Sequence, residues 1–186
     1  MQIDPGTGWC SSAQHCPSPN FNARPAGEVS LLVIHNISLP PGQFGTGQVK
    51  ALFGNALDPQ AHPYFAGIAH LQVSAHFLIE RDGALIQFVS CNDRAWHAGV
   101  SCFAGREQCN DFSLGIELEG TDELPYSDAQ YATLRDLTRE LLRAYPDLSP
   151  ERICGHSDIA PGRKTDPGPA FDWARYLGSL AAEVQA

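Results

Sequence analysis

The sequence predicts an α/β fold in which a single central mixed β-sheet is flanked by helices, with long irregular loops walling a cleft. Several apolar segments have the length and alternation of strands, one segment has helical periodicity, and an Asp-Gly pair separates two strand-like segments. The 186 residues are 43% hydrophobic and 18% charged, which is typical of globular proteins. We therefore expect one domain, 1–186, in which residues 1–29 form an irregular N-terminal arm over the core.

Four segments are predicted to be strands: 30–35, 73–80, 84–89 and 112–120. The first, SLLVIH, is nearly all apolar and is typical of a buried strand. Asp82 and Gly83 lie between the second and third segments, and this pair is a strong signal for a hairpin turn. The sheet is therefore expected to contain one antiparallel hairpin.

Helices are predicted after the last of these strands. Ser127 has the character of an N-cap, and Gln130 stands where a reciprocal capping residue is expected. An apolar stripe follows at helical spacing, made of Leu134, Leu137, Thr138, Leu141, Leu142 and Tyr145. We expect a final helix over about 172–184 and a short helix over 48–53.

The region from Leu39 to Leu71 is otherwise irregular and carries a Pro40-Pro41-Gly42 cluster at its start. So long a loop in a compact domain usually has a function of its own. We expect it to wall a cleft.

The charge and the apolar segments exclude two classes of partner. A formal net charge of −9 argues against binding nucleic acid, whose phosphates require a face rich in Lys and Arg. The longest aliphatic run, residues 31–34, is far too short for a membrane span. The first residues, MQIDPGTGWC, lack the basic and apolar regions of a secretory signal, which predicts a cytoplasmic protein. The sequence leaves the oligomeric state open, with a monomer favoured.

The six cysteines are expected to be reduced thiols, several of them buried, because disulfide frameworks belong to small secreted proteins. No pair has C-x-x-C spacing, which makes a cysteine-based zinc site improbable.

Glu117 lies in the middle of the strand-like segment FSLGIELEG. Leu114, Ile116 and Leu118 alternate with it and point to the opposite face. A carboxylate buried in such a strand is costly unless it is paired, protonated or near a cation. The alternative is that this face of the sheet is solvated.

A second candidate for chemistry is the segment GHSDIAPGRKTDPG, 155–168, which carries His156, Lys164 and Asp166 among glycines and prolines. Together with His35, at the carboxyl end of the first predicted strand, two imidazoles and one carboxylate would suit a catalytic zinc with an open position. Coordination would also order a loop that cannot be a regular helix or strand throughout.

Other interpretations of these residues stay open. One alternative is that the segment 155–168 is a surface loop with unrelated charges. A trio of His35, His76 and His156 is also compatible with composition, although His76 is better explained by a role in the core or on the sheet. His62, His70 and His97 compete for the same functions.

Several long and unusual blocks closely resemble the AmpD-type N-acetylmuramoyl-L-alanine amidases. They are VIHNISLPPGQFG, HPYFAGIAHL, SAHFLIERDG, RAWHAGVS, CNDFSLGIELEGTD and GRKTDPGPAFDW. The resemblance extends from about residue 16 to about 176, nearly the whole chain. This family is the zinc amidase branch that is shared with bacteriophage lysozyme-like amidases and animal peptidoglycan recognition proteins.

The resemblance implies a role for particular residues. His35, His156 and Asp166 match the ligands of one zinc ion per chain, Glu117 matches the catalytic acid/base, and Lys164 matches the residue that supports the oxyanion. Segments that line the family's substrate groove contain four more candidates: Asn36, Trp96, Arg106 and Arg163.

The implied function is a cytoplasmic enzyme of peptidoglycan recycling. Its substrate would be a small muropeptide, cleaved between the lactyl group of 1,6-anhydro-N-acetylmuramic acid and L-alanine, and this activity would indirectly limit β-lactamase induction. Three alternatives remain: a module that binds peptidoglycan fragments without cutting them, an amidase that trims intact murein, and a protein with a structural zinc.

Overall fold

The computed structural model describes residues 1–181, and its framework within that range consists of short strands, four α-helices and three short 3-10 helices. The strands are β1 (Gln14–His15), β2 (Phe21–Ala23), β3 (Leu31–Ile37), β4 (Phe77–Ile79), β5 (Leu85–Gln87), β6 (Asp93–Ala95), β7 (Cys102–Phe103), β8 (Arg106–Glu107), β9 (Ser113–Glu119) and β10 (Ile153–Gly155). The helices are α1 (Gln48–Phe53), α2 (Asp128–Ala144), α3 (His156–Ile159) and α4 (Trp173–Ala181). None of these helices is long and apolar enough to span a bilayer.

Six strands form the central sheet, in the order β1-β5-β4-β9-β3-β10 over the described part of the chain. The β4–β5 pair is antiparallel, and the other neighbours run parallel. The prediction of a mixed sheet flanked by helices is therefore confirmed. The β4–β5 hairpin turns at Asp82 and Gly83, as predicted, and Gly83 has a φ of 88° that favours glycine.

The predicted N-terminal arm is less irregular than expected. Its β1 extends the central sheet by pairing with β5, and its β2 pairs with β6 in a separate ribbon. These strands contain two and three residues, and such lengths are too short to give a periodic pattern in a sequence. β10 is as short as β4 and β5, but it lacks the flanking apolar residues and the Asp-Gly turn signal that make those two strands recognisable.

One arm residue, Arg24, is anchored deep in the domain. Its guanidinium donates hydrogen bonds to the carbonyl oxygens of Cys91, Asn110 and Ser113, the last at 2.8 Å. Burial lowers the pKa of Arg24 to about 10, so the side chain is still charged at neutral pH. Arginine suits this position because its planar fork offers five donors to several acceptors at once.

Helix α2 begins as predicted. The Ser127 hydroxyl accepts from the backbone of Gln130, and the Gln130 side chain accepts from the backbone of Ser127, which completes a capping box. Its buried stripe packs with α4 against one face of the sheet. The predicted final helix is confirmed up to Ala181, and its last residues, 182–184, lie outside the described part of the chain.

The opposite face of the sheet is covered by two separate apolar clusters. The region 39–71 supplies half of the buried residues of the first, with α1 at the predicted position, and this cluster includes Leu78 and Ile86 of the hairpin. The second cluster contains Leu31, Val33 and Phe112. The candidate functional residues lie on this face, near the carboxyl ends of β3 and β9.

Candidate metal centre

The pairing of β10 with β3 brings two histidines together from distant parts of the chain. Gly155 lies opposite Ile34 in this parallel pair, so the next residues, His156 and His35, are neighbours at the carboxyl ends of their strands. Asp166 then reaches both rings from the loop after α3. This edge is where open α/β sheets usually bind ligands.

The three side chains converge on one point. His35 Nδ1 and His156 Nδ1 are 3.0 Å apart, and each is 3.0 Å from Asp166 Oδ2. Both histidines are buried, and their candidate ligand atoms and that of Asp166 all lie within 4.8 Å of one another. Two imidazole nitrogens and one carboxylate form a donor set suited to a catalytic zinc, with room for a further ligand. The residues therefore fit a divalent metal ion.

The ring orientation of His156 supports this interpretation. Its Nε2 lies 3.1 Å from the carbonyl oxygen of Ala98, which can only accept a hydrogen bond. The neutral ring therefore carries its proton on Nε2 and directs the lone pair of Nδ1 towards His35 and Asp166.

The charge states of this cluster are also appropriate. Burial lowers the pKa of His35 to about 4, so its ring is neutral near pH 7. Burial opposes ionisation of Asp166, but the neighbouring His156 and His35 outweigh it and hold the pKa of this carboxyl below its usual range. Neutral imidazoles and an ionised carboxylate are the forms that bind metal.

Glu117 lies beside the cluster on β9. It is opposite His35 in the parallel β3–β9 pair, so both side chains project from the same face of the sheet. Only 8% of its surface is exposed, and its Oε2 atom has no hydrogen-bond partner among the described residues. Burial, followed by the negative charge of Asp166, raises the pKa of Glu117 well above its usual value, while the positive charge of Lys164 opposes this. The alternative of a solvated face is therefore wrong.

The loop that carries Lys164 and Asp166 is held from several sides. The Asp166 carbonyl accepts from the backbone of Ser157 at 2.9 Å. The next carbonyl, of Pro167, accepts from Asn36 Nδ2 at 3.1 Å and from the Tyr126 hydroxyl at 2.8 Å. These bonds fix the backbone next to the candidate ligand without a regular helix or strand.

These residues open into a cleft of about 450 Å³, a size that suits a small ligand. The predicted residues Asn36, Trp96 and Lys164 line it. The region 39–71 forms much of its wall, as predicted, through Leu39, Pro41, Leu52, Phe53, Tyr64, Ile68 and Leu71. Asp122 and Ser74 also line the cleft. Both lie in blocks that resemble the amidase family, CNDFSLGIELEGTD and SAHFLIERDG, but as ordinary polar residues they carried no signal that singled them out.

Two residues predicted to line the substrate groove lie outside this cleft. Arg106 forms an ion pair with Glu28 at 2.8 Å and stacks over the ring of Phe112. Arg163 donates to the carbonyl oxygens of Ala98 and Val100. The structure thus gives both arginines local structural partners instead of positions in the cleft.

The remaining histidines separate into different environments. His76 is fully buried and accepts from the backbone of Gly115, which agrees with the predicted core role and removes it from the ligand set. His62 caps the backbone of Tyr64, and His70 is exposed. His97 is different, because its ring contacts His35 directly.

Comparison with known proteins places these features in context. A family model described as N-acetylmuramoyl-L-alanine amidase matches residues 25–169. The 1,6-anhydro-N-acetylmuramyl-L-alanine amidase AmpD of Escherichia coli K12 is 61% identical over 178 residues, which are 95% of this chain and 97% of the relative.

Solved structures show the same similarity. The crystal structure of a selenomethionine derivative of AmpD aligns with a TM-score of 0.93 and 57% identity, covering 97% of this chain and 99% of the other. AmpDh3 of Pseudomonas aeruginosa, solved in complex with anhydromuramic pentapeptide, aligns with a TM-score of 0.63 and 32% identity, covering 81% of this chain and 59% of the other.

Replacing Asp166 tests the metal centre. We expect Asp166→Ala to weaken zinc binding by more than the ~10–100-fold that is typical for loss of an outer-shell partner, because it removes a direct ligand. Zinc affinity should be measured by competition with a chromophoric chelator, with the exposed Asp147→Ala as the matched control. Equal zinc affinity in the two variants would exclude Asp166 as a ligand.

Proposed function

The chain belongs to the N-acetylmuramoyl-L-alanine amidase family, and we propose that it hydrolyses the amide bond between the lactyl group of 1,6-anhydro-N-acetylmuramic acid and L-alanine. The observation that carries this proposal is the convergence of His35, His156 and Asp166 beside the buried Glu117. The preference for an anhydro substrate is supported by a relative of that name with 61% identity over nearly the full length of both chains.

In this proposal His35, His156 and Asp166 hold one zinc ion. When bound, zinc acts as a Lewis acid and makes hydroxide available at neutral pH, because it lowers the pKa of a water ligand to about 7. Two neutral imidazoles and one carboxylate leave a formal charge of +1 on such a site, which favours anionic species.

Glu117 is the proposed proton carrier. As a carboxylate it accepts a proton from the attacking water, and as an acid it delivers that proton to the departing alanine nitrogen. Its raised pKa suits both tasks, because a group that titrates far below neutral pH would be a poor proton donor.

Lys164 is proposed to stabilise the oxyanion that develops on the lactyl carbonyl. It lines the same cleft as Glu117, and its charge influences the Glu117 carboxyl. A fixed positive charge at this point contributes most in the transition state, when the carbonyl oxygen becomes negative.

The proposal extends to the setting of the enzyme. We place it in cytoplasmic peptidoglycan recycling, where it would also lower the muropeptide signal for β-lactamase induction in bacteria that have the matching regulator. All six cysteines are free thiols, which is compatible with a reducing compartment. A monomer is proposed as the working form.

The substrate proposal can be tested with two matched muropeptides. We expect zinc-loaded protein to release the L-alanine stem peptide faster from an anhydromuropeptide than from its reduced counterpart, and a chelator should abolish the release. Mass spectrometry of the released peptide measures both rates. Binding without release would indicate a peptidoglycan-binding module, and preference for intact murein would indicate an amidase of a different substrate class.

Glu117→Gln should retain zinc and lose turnover by ~10²–10⁴-fold, since it keeps the shape of the side chain and removes the proton acceptor. Turnover on the anhydromuropeptide and zinc content should be measured on the same sample. Glu123→Gln, at an exposed position, is the matched control. A Glu117→Gln protein with nearly normal turnover would remove Glu117 from the mechanism.

Lys164→Met should lower kcat by ~10²–10³-fold while zinc stays bound, because the variant loses one oxyanion donor. The chain has one other lysine, Lys50, which forms an ion pair with Glu80 at 3.1 Å. Lys50→Met is therefore the matched control and should keep normal kcat. An unchanged kcat in Lys164→Met would leave Lys164 as a structural residue of its loop.

A further inference from the structure

His97 contacts one of the two candidate metal ligands but is not itself in the ligand set. Its Nδ1 lies 2.9 Å from His35 Nε2, on the side of the His35 ring that faces away from His156 and Asp166. Its other nitrogen, Nε2, lies 3.2 Å from the hydroxyl of Ser113 on β9. His97 therefore connects His35 on β3 to Ser113 on β9.

The position of protons in this bridge can be deduced from the chemistry of the imidazole ring. A neutral ring has one N–H and one acceptor nitrogen. If His35 is to offer Nδ1 to a metal, its proton must be on Nε2, and the atom that faces this proton is His97 Nδ1. His97 then carries its own proton on Nε2 and donates it to Ser113, whose hydroxyl oxygen can accept.

The ring of His97 fits only because residue 115 is a glycine. A Cβ atom at Gly115 would lie 2.5 Å from His97 Cγ and 2.6 Å from His97 Nδ1. The ring therefore packs directly on the backbone of β9, in space that any other residue would fill. Glycine at position 115 therefore leaves the space on β9 that the His97 ring occupies.

The backbone at residues 97–98 also contacts the second candidate ligand, His156. Asn110 Oδ1 accepts from the backbone N–H groups of His97 and Ala98, at 3.2 and 2.8 Å. The carbonyl of Ala98, held in this way, faces His156 Nε2 at 3.1 Å. Arg163 donates to the same carbonyl at 2.7 Å.

We propose that His97 is a positioning residue for the metal centre: its Nδ1 accepts a hydrogen bond from His35 Nε2–H, which keeps that proton on Nε2 and so directs the Nδ1 lone pair of His35 to the metal. The carbonyl of Ala98 accepts a hydrogen bond from His156 Nε2–H and so directs the Nδ1 lone pair of His156 to the metal. Two consecutive residues, His97 and Ala98, thus orient the rings of both histidine ligands. This inference rests on the proposed zinc site, but it assigns His97, Gly115 and Asn110 a function that the ligand set alone does not require.

The role of His97 can be tested by measuring zinc affinity in two variants, one without and one with a hydrogen-bond acceptor at position 97. His97→Phe keeps a ring over Gly115 and loses the acceptor, so we expect zinc binding ~10–100-fold weaker. His97→Gln keeps an acceptor and should recover most of the affinity. The exposed His70→Phe controls for the loss of a histidine and should bind zinc as the wild type does.

General misfolding of the variants would not give weak zinc binding in His97→Phe together with nearly normal binding in His97→Gln. At saturating zinc, His97→Phe should recover kcat, because a positioning residue acts through the metal ligand. His97 also lines the cleft, so KM is not part of this test. Gly115→Ala should also weaken zinc binding, since the new Cβ displaces the His97 ring while every polar group is retained.

The tautomer of His97 can also be measured directly in the wild-type protein, so this test does not depend on the folding of a variant. In the zinc-loaded protein, long-range ¹H–¹⁵N spectra should show His97 with its proton on Nε2, whereas a proton on Nδ1 would overturn the proposal. Equal zinc affinity in His97→Phe and wild type would also overturn it, even if the wild type hydrolyses its muropeptide normally. Conversely, zinc-loaded wild type that fails to cleave the muropeptide would refute the proposed function and leave the affinity comparison intact.

Discussion

The site depends on the in-register parallel pairing of three neighbouring strands. β10 pairs with β3, and β3 pairs with β9, so the chain positions 156, 35 and 117 meet at one edge although they are widely separated in sequence. A slip of one residue in either pairing would turn Glu117 or His35 to the opposite face, into the apolar layer under α2. The apolar residues that alternate with Glu117 on β9 prevent such a slip, because they are buried on that layer. The hydrophobic core and the functional group are therefore specified by the same alternation.

Two acidic residues at this edge illustrate how the surroundings determine chemistry. Asp166 contacts two imidazoles, and the pKa of its carboxyl lies below the usual range. Glu117 is buried without such partners, and its pKa lies well above the usual value. Divergence of this kind between neighbouring carboxyl groups is a common sign of separate functions, here a metal ligand and a proton carrier in our proposal.

The sequence predicted the long elements well, because their signals are local. The capping box at Ser127, the hairpin turn at Gly83 and the alternation around Glu117 each involve residues close together in the chain, and the structure contains all three. Strand β10 was not predicted because its three residues have no apolar flanks and no turn signal, unlike the equally short β4 and β5, and its identity as a strand depends on β3 beside it. The burial of Glu117 was likewise undecidable from the sequence, since it depends on covering residues from other segments. Arg106 and Arg163 are expected in the substrate groove from the segments they lie in, but contacts with Glu28 and with the Ala98 carbonyl hold them outside the described cleft.

The buried guanidinium of Arg24 indicates that the functional domain begins before the first residue of the family match. The family match starts at residue 25, directly after Arg24. Yet this side chain holds the carbonyl of Ser113, the residue whose hydroxyl faces His97 next to the metal-site histidine. An amidase trimmed to the boundary of the family match would lose Arg24, which is linked to His35 by three successive contacts through Ser113 and His97. We therefore expect the smallest autonomous catalytic unit to include part of the N-terminal arm.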